Sequence, residues 1–390
     1  MVGQERLRRL SRAFAALALP LLLASFAAAE TIEVPSYDGF ALRAIVERPA
    51  RGKDSDARNV VVLIHGSGPQ NADEDLSSLS APGTTNQFFV DVSRALVAEG
   101  FAVVRYDKRT YAARERVRKD PAFLESPTAK ALRENPLKAI VDDAAHMVGW
   151  AKARFPNAQV RLLGHSEGGY VALQVASTVP GVDGVALVGF TYESLDAVLL
   201  EQYVYRPLWI FDGLDADKDG RLSALELKGE DRFQKAIARQ AQKLDLDGDG
   251  FVGRAEFKAG NAANLLLDDE PSLAAYRKQE AAYPRAGALL RAAAYDVCFF
   301  QGEWDNQTPA YYARGVQLMN KSAWGKKNFH FRFFPKLGHA LDPRESENDL
   351  TYRPADRAAL RTMAADLSSR WRPQPLPPMN PPMATGSPGR

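Results

Sequence analysis

Leu162-Leu163-Gly164-His165-Ser166-Glu167-Gly168-Gly169-Tyr170 is the stretch whose reading decides the fold. An apolar-rich segment, Ala158 to Leu163, runs into it, a helical pattern, Tyr170 to Ser177, runs out, and the centre reads G-x-S-x-G from Gly164 to Gly168. A strand entering and a helix leaving is the setting that a nucleophile elbow requires. Such a turn is sharp enough to strain the serine backbone, and side chains two residues before and after it would collide, so both positions are glycine. Ser166 then stands at a helix N-terminus, where backbone N–H groups and the helix dipole favour a developing negative charge. The plainer reading is a Gly-rich turn with a passing serine, and the rest of the chain decides between the two.

Outward from the elbow, strands alternate with helices. Thr31 to Val34 and Ala41 to Glu47, joined by Tyr37-Asp38-Gly39, read as a hairpin. Val60 to Ile64 is a continuous apolar run, as in a strand buried on both faces, and it ends in His65-Gly66-Ser67-Gly68-Pro69. A helix over Asn86 to Glu99 stops at Gly100, and a strand follows from Phe101 to Tyr106. Residues 110–137 are charged and give no clear period. Ile140, Ala144, Met147 and Val148 share one face of a helix over Leu137 to Phe155. Val185 to Val188 is another buried strand. The alternation breaks at Phe190 and resumes with Val297 to Phe300, Phe329 to Phe334 and a closing helix, Pro354 to Trp371. This order predicts an α/β protein with a parallel sheet covered on both faces: a core over 30–189 and 291–371, and an insertion over 190–290. Residues 372–390, rich in Pro, Met and Gly without periodicity, read as a disordered tail.

Composition, 46% hydrophobic and 25% charged over 390 residues, is that of a globular chain with a sizeable core. Residues 1–29 read as a secretory signal peptide: Arg6, Arg8, Arg9 and Arg12, then an apolar run from Ala13 to Phe26, then Ala27-Ala28-Ala29 before Glu30. Removing its four arginines and one glutamate takes the formal net charge from +2 to −1, so the basicity points to no nucleic-acid partner. No segment of the mature chain is apolar enough to span a bilayer. Cys298 is the single cysteine, so no intrachain disulfide forms, and the expected address is a bacterial periplasm or the medium.

Acyl transfer through serine needs a base to take the hydroxyl proton and an acid to orient that base. In an elbow-bearing sheet these follow in the order serine, acid, histidine. Of His65, His146, His165, His330 and His339, only the last two lie far enough along the chain. His330 alternates with Arg332 on the polar face of a strand. His339 lies just past that strand, in Pro335-Lys336-Leu337-Gly338-His339-Ala340, at the sheet edge where parallel sheets hold ligands, so it is taken as the base. Asp305, after the penultimate strand, is taken as the acid, with Glu303 a near rival and Glu193 a remoter one. Most carboxylates in such loops are merely solvated. The transition-state oxyanion needs backbone donors, assigned to the N–H of Glu167 and of Ser67, while His65 reads as a structural hydrogen-bonding residue.

His65-Gly66-Ser67-Gly68-Pro69-Gln70, Arg105-Tyr106-Asp107-Lys108-Arg109, Gly164 to Gly169 and Leu337-Gly338-His339 together resemble a group of bacterial α/β-hydrolases near the esterases and serine aminopeptidase-like hydrolases. The likeness spans about residues 31–190 and 295–370. It implies a mostly parallel eight-stranded sheet and a lid inserted after the sixth strand. Thr110-Tyr111 departs from the group, where Gly usually follows Asp-Lys-Arg.

Within the insertion, Asp215 to Glu226 and Asp245 to Glu256 each carry acids at positions 1, 3 and 5, Gly at 6 and Glu at 12, the pattern of an EF-hand calcium loop. Asp215, Asp217, Asp219 and Glu226, with the carbonyl of Arg221, would hold one Ca²⁺. Asp245, Asp247, Asp249 and Glu256, with the carbonyl of Phe251, would hold a second. Leu222 and Val252, both at position 8, would pair the loops through a short β contact. The loops begin 30 residues apart, which leaves room for only a shortened exit helix before a second helix over Asp231 to Leu244. Calcium is expected to stabilise a lid with little apolar core, rather than to act as a sensor. Phe190, Tyr192, Tyr203, Tyr205, Trp209 and Phe211 suit an apolar part of a substrate or the core of the lid. The expected activity is hydrolysis of small carboxylic esters, with no metal in the chemical step. Amide or peptide hydrolysis by the same triad is the alternative within the enzyme class, and a non-catalytic calcium-dependent binding protein the alternative outside it.

Overall fold

The computed structural model describes residues 28–49, 54–229, 232–266 and 271–372. Most of the expected signal peptide and nearly all of the expected tail lie outside them. β1 (Ala28–Pro35) and β2 (Ala41–Arg48) form the hairpin, and Ala28 and Ala29 pair with Arg48 and Glu47. The strand therefore starts two residues ahead of the expected cleavage point, and cleavage there would leave Glu30 onward paired.

β3 (Asn59–Ile64), α1 (Phe88–Ala98), β4 (Ala102–Tyr106), α2 (Arg109–Lys119), α3 (Pro127–Glu134), α4 (Pro136–Arg154), β5 (Gln159–His165), α5 (Glu167–Thr178) and β6 (Val182–Val188) build the first part of the core. Gly100, at φ +89°, lets the chain leave α1. The charged stretch without a clear period is helical: α2 begins at Arg109, so Thr110-Tyr111 starts a helix where the resembled group has Gly. Its helicity comes from packing, since Ala113 and the Arg109 stem are its buried residues.

After β6 come α6 (Leu195–Leu200), a π-helical turn (Glu201–Tyr205), α7 (Arg206–Leu214), β7 (Arg221–Leu222), α8 (Arg232–Leu244), β8 (Val252–Gly253), α9 (Arg254–Leu266), α10 (Pro271–Ala282) and α11 (Ala286–Ala292). β9 (Asp296–Gly302), α12 (Tyr311–Met319), β10 (Phe329–Phe334) and α13 (Arg357–Arg370) complete the chain. The main sheet has eight strands in the order β1-β2-β4-β3-β5-β6-β9-β10. β1 pairs antiparallel with β2 and β2 with β4, whereas β4, β3, β5, β6, β9 and β10 run parallel.

Side chains of a strand alternate between faces, so each apolar run feeds two cores. Val60, Val62, Ile64 and Leu162 meet α4, α5 and α11 on one face. Val61, Leu63, Val103 and Leu163 meet α1 and α13 on the other. Phe190 and the buried side of α11 belong to the first of these cores, although both were expected in the insertion. The insertion has a small core of its own, in which Leu208, Phe211, Leu222, Ile237, Val252 and Phe257 meet. Among the described residues no helix is long and apolar enough to cross a membrane. Cys298 is buried in β9.

Trp371 anchors the last helix. It is 1% exposed, stacks edge-on against Phe101, lies under the Arg161 guanidinium, and occupies the space a side chain at Gly184 would need. Trp371→Ala should lower the unfolding free energy by about 3–5 kcal/mol in urea titration. A loss under about 1 kcal/mol would contradict this packing.

Candidate active site

Ser166 sits between β5 and α5 at φ 54°, ψ −122°, a conformation that a non-glycine residue holds only when its surroundings enforce it. The enforcement is visible. A side-chain carbon at Gly164 would overlap the backbone of Gly168, and one at Gly168 would overlap the carbonyl of Ile64 at the end of β3. The Ser166 N–H donates to the carbonyl of Val188 on β6 at 2.9 Å, and its carbonyl accepts from Gly169. The serine is thus pinned between two neighbouring strands.

Asp305 and His339 come together 34 residues apart in sequence. His339 Nδ1 lies 2.9 Å from Asp305 Oδ2, and both side chains are buried. Burial alone would raise the Asp305 carboxyl; the adjacent His339 imidazole and hydrogen bonds from Thr308 outweigh it and hold the group down at about 2. The carboxylate also accepts from Gln301 Nε2, Gln307 N–H and the Thr308 amide and hydroxyl. Of its rivals, Glu303 pairs with Arg314 on the surface and Glu193 lines a neighbouring cavity. Ser166 and His339 line one cavity of about 290 Å³ together with Ser67. No hydrogen bond joins the Ser166 hydroxyl to the imidazole among the described residues, and such contacts often tighten only when substrate is bound. The N–H groups of Ser67 and Glu167 have no protein acceptor among the described residues.

Three residues not assigned from sequence tie these parts together. Glu74 is buried at φ 45°; its Oε1 accepts from Gly66 N–H at 2.8 Å and faces His165 Nδ1 at 2.9 Å. His165 Nε2 faces the backbone carbonyl of His339 at 3.3 Å. Both ring nitrogens of His165 therefore face acceptors, as an imidazolium requires. Burial disfavours its charge, but Glu74 more than compensates, and the His165 pKa is raised. Burial likewise opposes the Glu74 carboxylate, and the attraction of His165 brings its pKa down. Lys108 Nζ donates to the Gly66 carbonyl at 2.7 Å and to Glu167 Oε2 at 2.6 Å, linking the two expected oxyanion segments. Asp107 receives Ala72 N–H and pairs with Arg43, while Arg109 pairs with Asp38 and Asp143. The partners of the Asp-Lys-Arg run are remote in sequence, so no local pattern announces them. His65 is packed between Phe89 and Tyr106, and burial lowers it to about 4, so it is neutral at pH 7.

Of the six aromatic residues noted in the insertion, Tyr203 lines the cavity beside Ser166, Phe211 belongs to the small core, and Phe190 packs on Gly169. The two acidic loops stand side by side through the β7–β8 contact, with Leu222 opposite Val252. Carboxylate oxygens of Asp215, Asp217 and Asp219 lie within 4.8 Å of one another, as do those of Asp245, Asp247 and Asp249. Asp215 Oδ1 is buried with no partner, an orphan that a cation would satisfy. Glu226 and Glu256 close their loops by accepting backbone N–H groups from both ends. Arg221 pairs across the loops with Asp249. The oxygen-only donor set suits a hard cation such as Ca²⁺.

Residues 83–207 match the family model described as serine aminopeptidase, S33, a span that contains the elbow but neither Asp305 nor His339. Residues 210–229 and 242–260 match an EF-hand model. Esterase EstD of Thermotoga maritima is 31% identical over 153 residues, 39% of this chain and 32% of that protein; the match therefore spans about a third of that relative. Among solved structures, an esterase of Pyrococcus furiosus aligns with a TM-score of 0.46 at 12% identity, covering 89% of this chain and 90% of that one. The esterase domain of a Rhodothermus marinus protein aligns at 0.44 and 14%, covering 88% and 98%.

The Glu74–His165 pair has a defined pH window. Stability from a raised histidine is fully present below its ordinary 6.5 and lost as pH rises through the raised value. Stability from a lowered carboxyl is present above its ordinary 4.5 and lost as pH falls through the lowered value. Glu74→Gln should therefore destabilise most between about pH 4.5 and 6.5, by roughly 3–5 kcal/mol, with the gap shrinking at higher pH. A gap constant from pH 5 to 9 in thermal or urea unfolding would contradict the charged pair. Sheet order and elbow give the chain an α/β-hydrolase fold, in which residues 83–207 are similar to the serine aminopeptidase, S33 family and EF-hand-like segments are inserted after the sixth strand.

Proposed function

We propose that this chain is an exported serine hydrolase that cleaves small carboxylic esters through Ser166, His339 and Asp305, under a lid stabilised by two calcium ions. The observation that carries the reading is the buried His339–Asp305 contact of 2.9 Å on the wall of the cavity that also holds the strained Ser166. Export rests on the sequence of residues 1–29.

Ser166 Oγ attacks the ester carbonyl carbon while His339 Nε2 takes its proton. Asp305, ionised because it is held near 2, fixes the imidazole through Nδ1 and stabilises the imidazolium. The carbonyl oxygen becomes an oxyanion that accepts from the N–H groups of Ser67 and Glu167. Lys108 and Glu74 hold those two segments in register, with Glu74 itself on the cavity wall. Collapse breaks the bond to the alcohol, which leaves with the proton from His339. Water then attacks the acyl-enzyme, giving a proton to His339; the acid departs and Ser166 recovers its hydrogen. The same steps cleave an amide, and the aminopeptidase description of the matched family model favours that second reading.

Calcium, when bound, supplies charge neutralisation for the eight loop carboxylates, which otherwise repel. α7 runs from Arg206 on the catalytic cavity to Leu214, one residue before the first loop. α9 leaves the second loop and packs against α7 and the π-helical turn. Holding both loops therefore holds one wall of the cavity.

A fluorophosphonate should label the protein at Ser166, and Ser166→Ala should abolish labelling. Persistent absence of labelling in calcium would support a non-catalytic calcium-dependent binding protein instead. Asp305→Asn should lower kcat on 4-nitrophenyl esters by roughly a thousandfold or more. A loss under tenfold would remove Asp305 from the triad. Running the same assay with aminoacyl amides separates ester from amide hydrolysis. EDTA should lower the melting temperature and alter activity, and excess calcium should restore both; at calcium 100 times the dissociation constant each site adds about 2.7 kcal/mol. Unchanged melting in EDTA would contradict calcium stabilisation.

A further inference from the structure

The wall of the catalytic cavity holds a cation without a counterion. Arg206 opens α7 and lines the cavity with Ser166 and His339. Its Nη1 is buried, and among the described residues the guanidinium makes no hydrogen bond or ion pair. Buried Arg105 pairs with Glu47 and Asp73, Arg109 with Asp38 and Asp143, and Arg344 with Asp342, while buried Arg161 is hydrogen-bonded to Asn59 and Gln159; Arg58 also has a buried Nη1 without a partner but does not line this cavity. The polar groups nearest in influence to Arg206 are Tyr352, Tyr203, Asp305 and Glu201. Asp305 is fully committed to His339, Gln301 and Thr308. Burial lowers the Arg206 pKa and outweighs the attraction of Tyr352, Tyr203, Asp305 and Glu201, none of which pairs with it. A buried, unpaired guanidinium is destabilising unless something arrives to pair with it, and its planar fork matches a carboxylate.

On the other side of the nucleophile lies a second cavity, of about 400 Å³, which shares Ser67, Ser166, Gln202 and Tyr203 with the first. Its wall carries Leu195, Val198, Leu199 and Tyr276, together with the carboxyl groups of Glu193 and Glu280. That wall accepts apolar groups and repels anions. Ser166 therefore sits at the junction of a cationic cavity and an apolar, anion-repelling one.

We propose that the substrate is an ester with a free carboxylate at one end, seated on Arg206, and an apolar group at the other, lodged in the second cavity. This rests on the hydrolase reading and names its substrate class. Two matched pairs test it by pH-stat. In the first pair, monobutyl glutarate against butyl glutaramate, the carboxylate is on the acyl side. In the second, 4-(hexanoyloxy)butanoate against its carboxamide, it is on the alcohol side. In at least one pair the acid should exceed the neutral amide in kcat/KM by about tenfold or more. Arg206→Gln should collapse that ratio towards one, mainly through KM, and Arg206→Lys should keep part of it. Glutarate should also protect Ser166 from fluorophosphonate labelling more than glutaramide does, a readout that works even if none of the four esters is turned over.

Equal rates for acid and amide in both pairs with no preferential protection overturn the carboxylate assignment, and so does a preference that survives Arg206→Gln. If neutral esters are cleaved through Ser166 in those cases, the hydrolase reading stands alone. If Ser166 neither labels nor cleaves, both fall.

Discussion

The site depends on a steric constraint: β5 turns into α5 within van der Waals distance of the end of β3. Only hydrogen fits at Gly164 and Gly168, and under that compression Ser166 is held at φ 54°. The strain is enforced by strand register, since β3 pairs with β5 from Asn59 through Ile64 and β5 pairs with β6 up to Val188. The two hydrophobic cores that clamp the sheet therefore also clamp the serine. A sheet this deeply buried can hold a high-energy backbone conformation because few alternatives keep its side chains packed.

Around that point the polar groups are arranged so that each loop of the rim is tied to another. Glu74 joins the Gly66 turn to His165, His165 reaches the backbone of His339, and Lys108 joins the Gly66 carbonyl to Glu167. These are buried, charge-assisted contacts, and two of their members, Glu74 and His165, line the cavity beside the groups proposed to meet substrate. Tyr276 from α10 also meets Glu167, so the insertion touches the elbow as well as the cavity wall. Pre-organised backbone donors are worth most where they need not move during the reaction, and this network ties down the segments that carry the two proposed donors.

The main sheet was legible because its strands announce themselves locally: Val60 to Ile64 is apolar throughout and Phe329 to Phe334 alternates. The elbow, the histidine past the last strand and the twin acidic loops were legible for the same reason, each being a short pattern with its own spacing. What sequence did not convey lies in contacts between distant positions. Glu74 meets His165 across 91 residues and Lys108 meets Glu167 across 59, so neither carries a local signature. Residues 109–134 hid their helices because charged side chains dominate them and tertiary packing supplies the order. Phe190 and Phe211 looked alike in the chain, yet one fills the sheet core and the other the core of the insertion.

The central claim is that Ser166, His339 and the amides of Ser67 and Glu167 converge on one reacting carbon. A crystal structure of the protein phosphonylated in calcium tests it most directly. The adduct should be on Ser166 Oγ, with its phosphoryl oxygen about 2.7–3.2 Å from both amide nitrogens and His339 Nε2 on the leaving-group side. An adduct on another residue would contradict the account, and so would a phosphoryl oxygen turned away from Ser67 and Glu167.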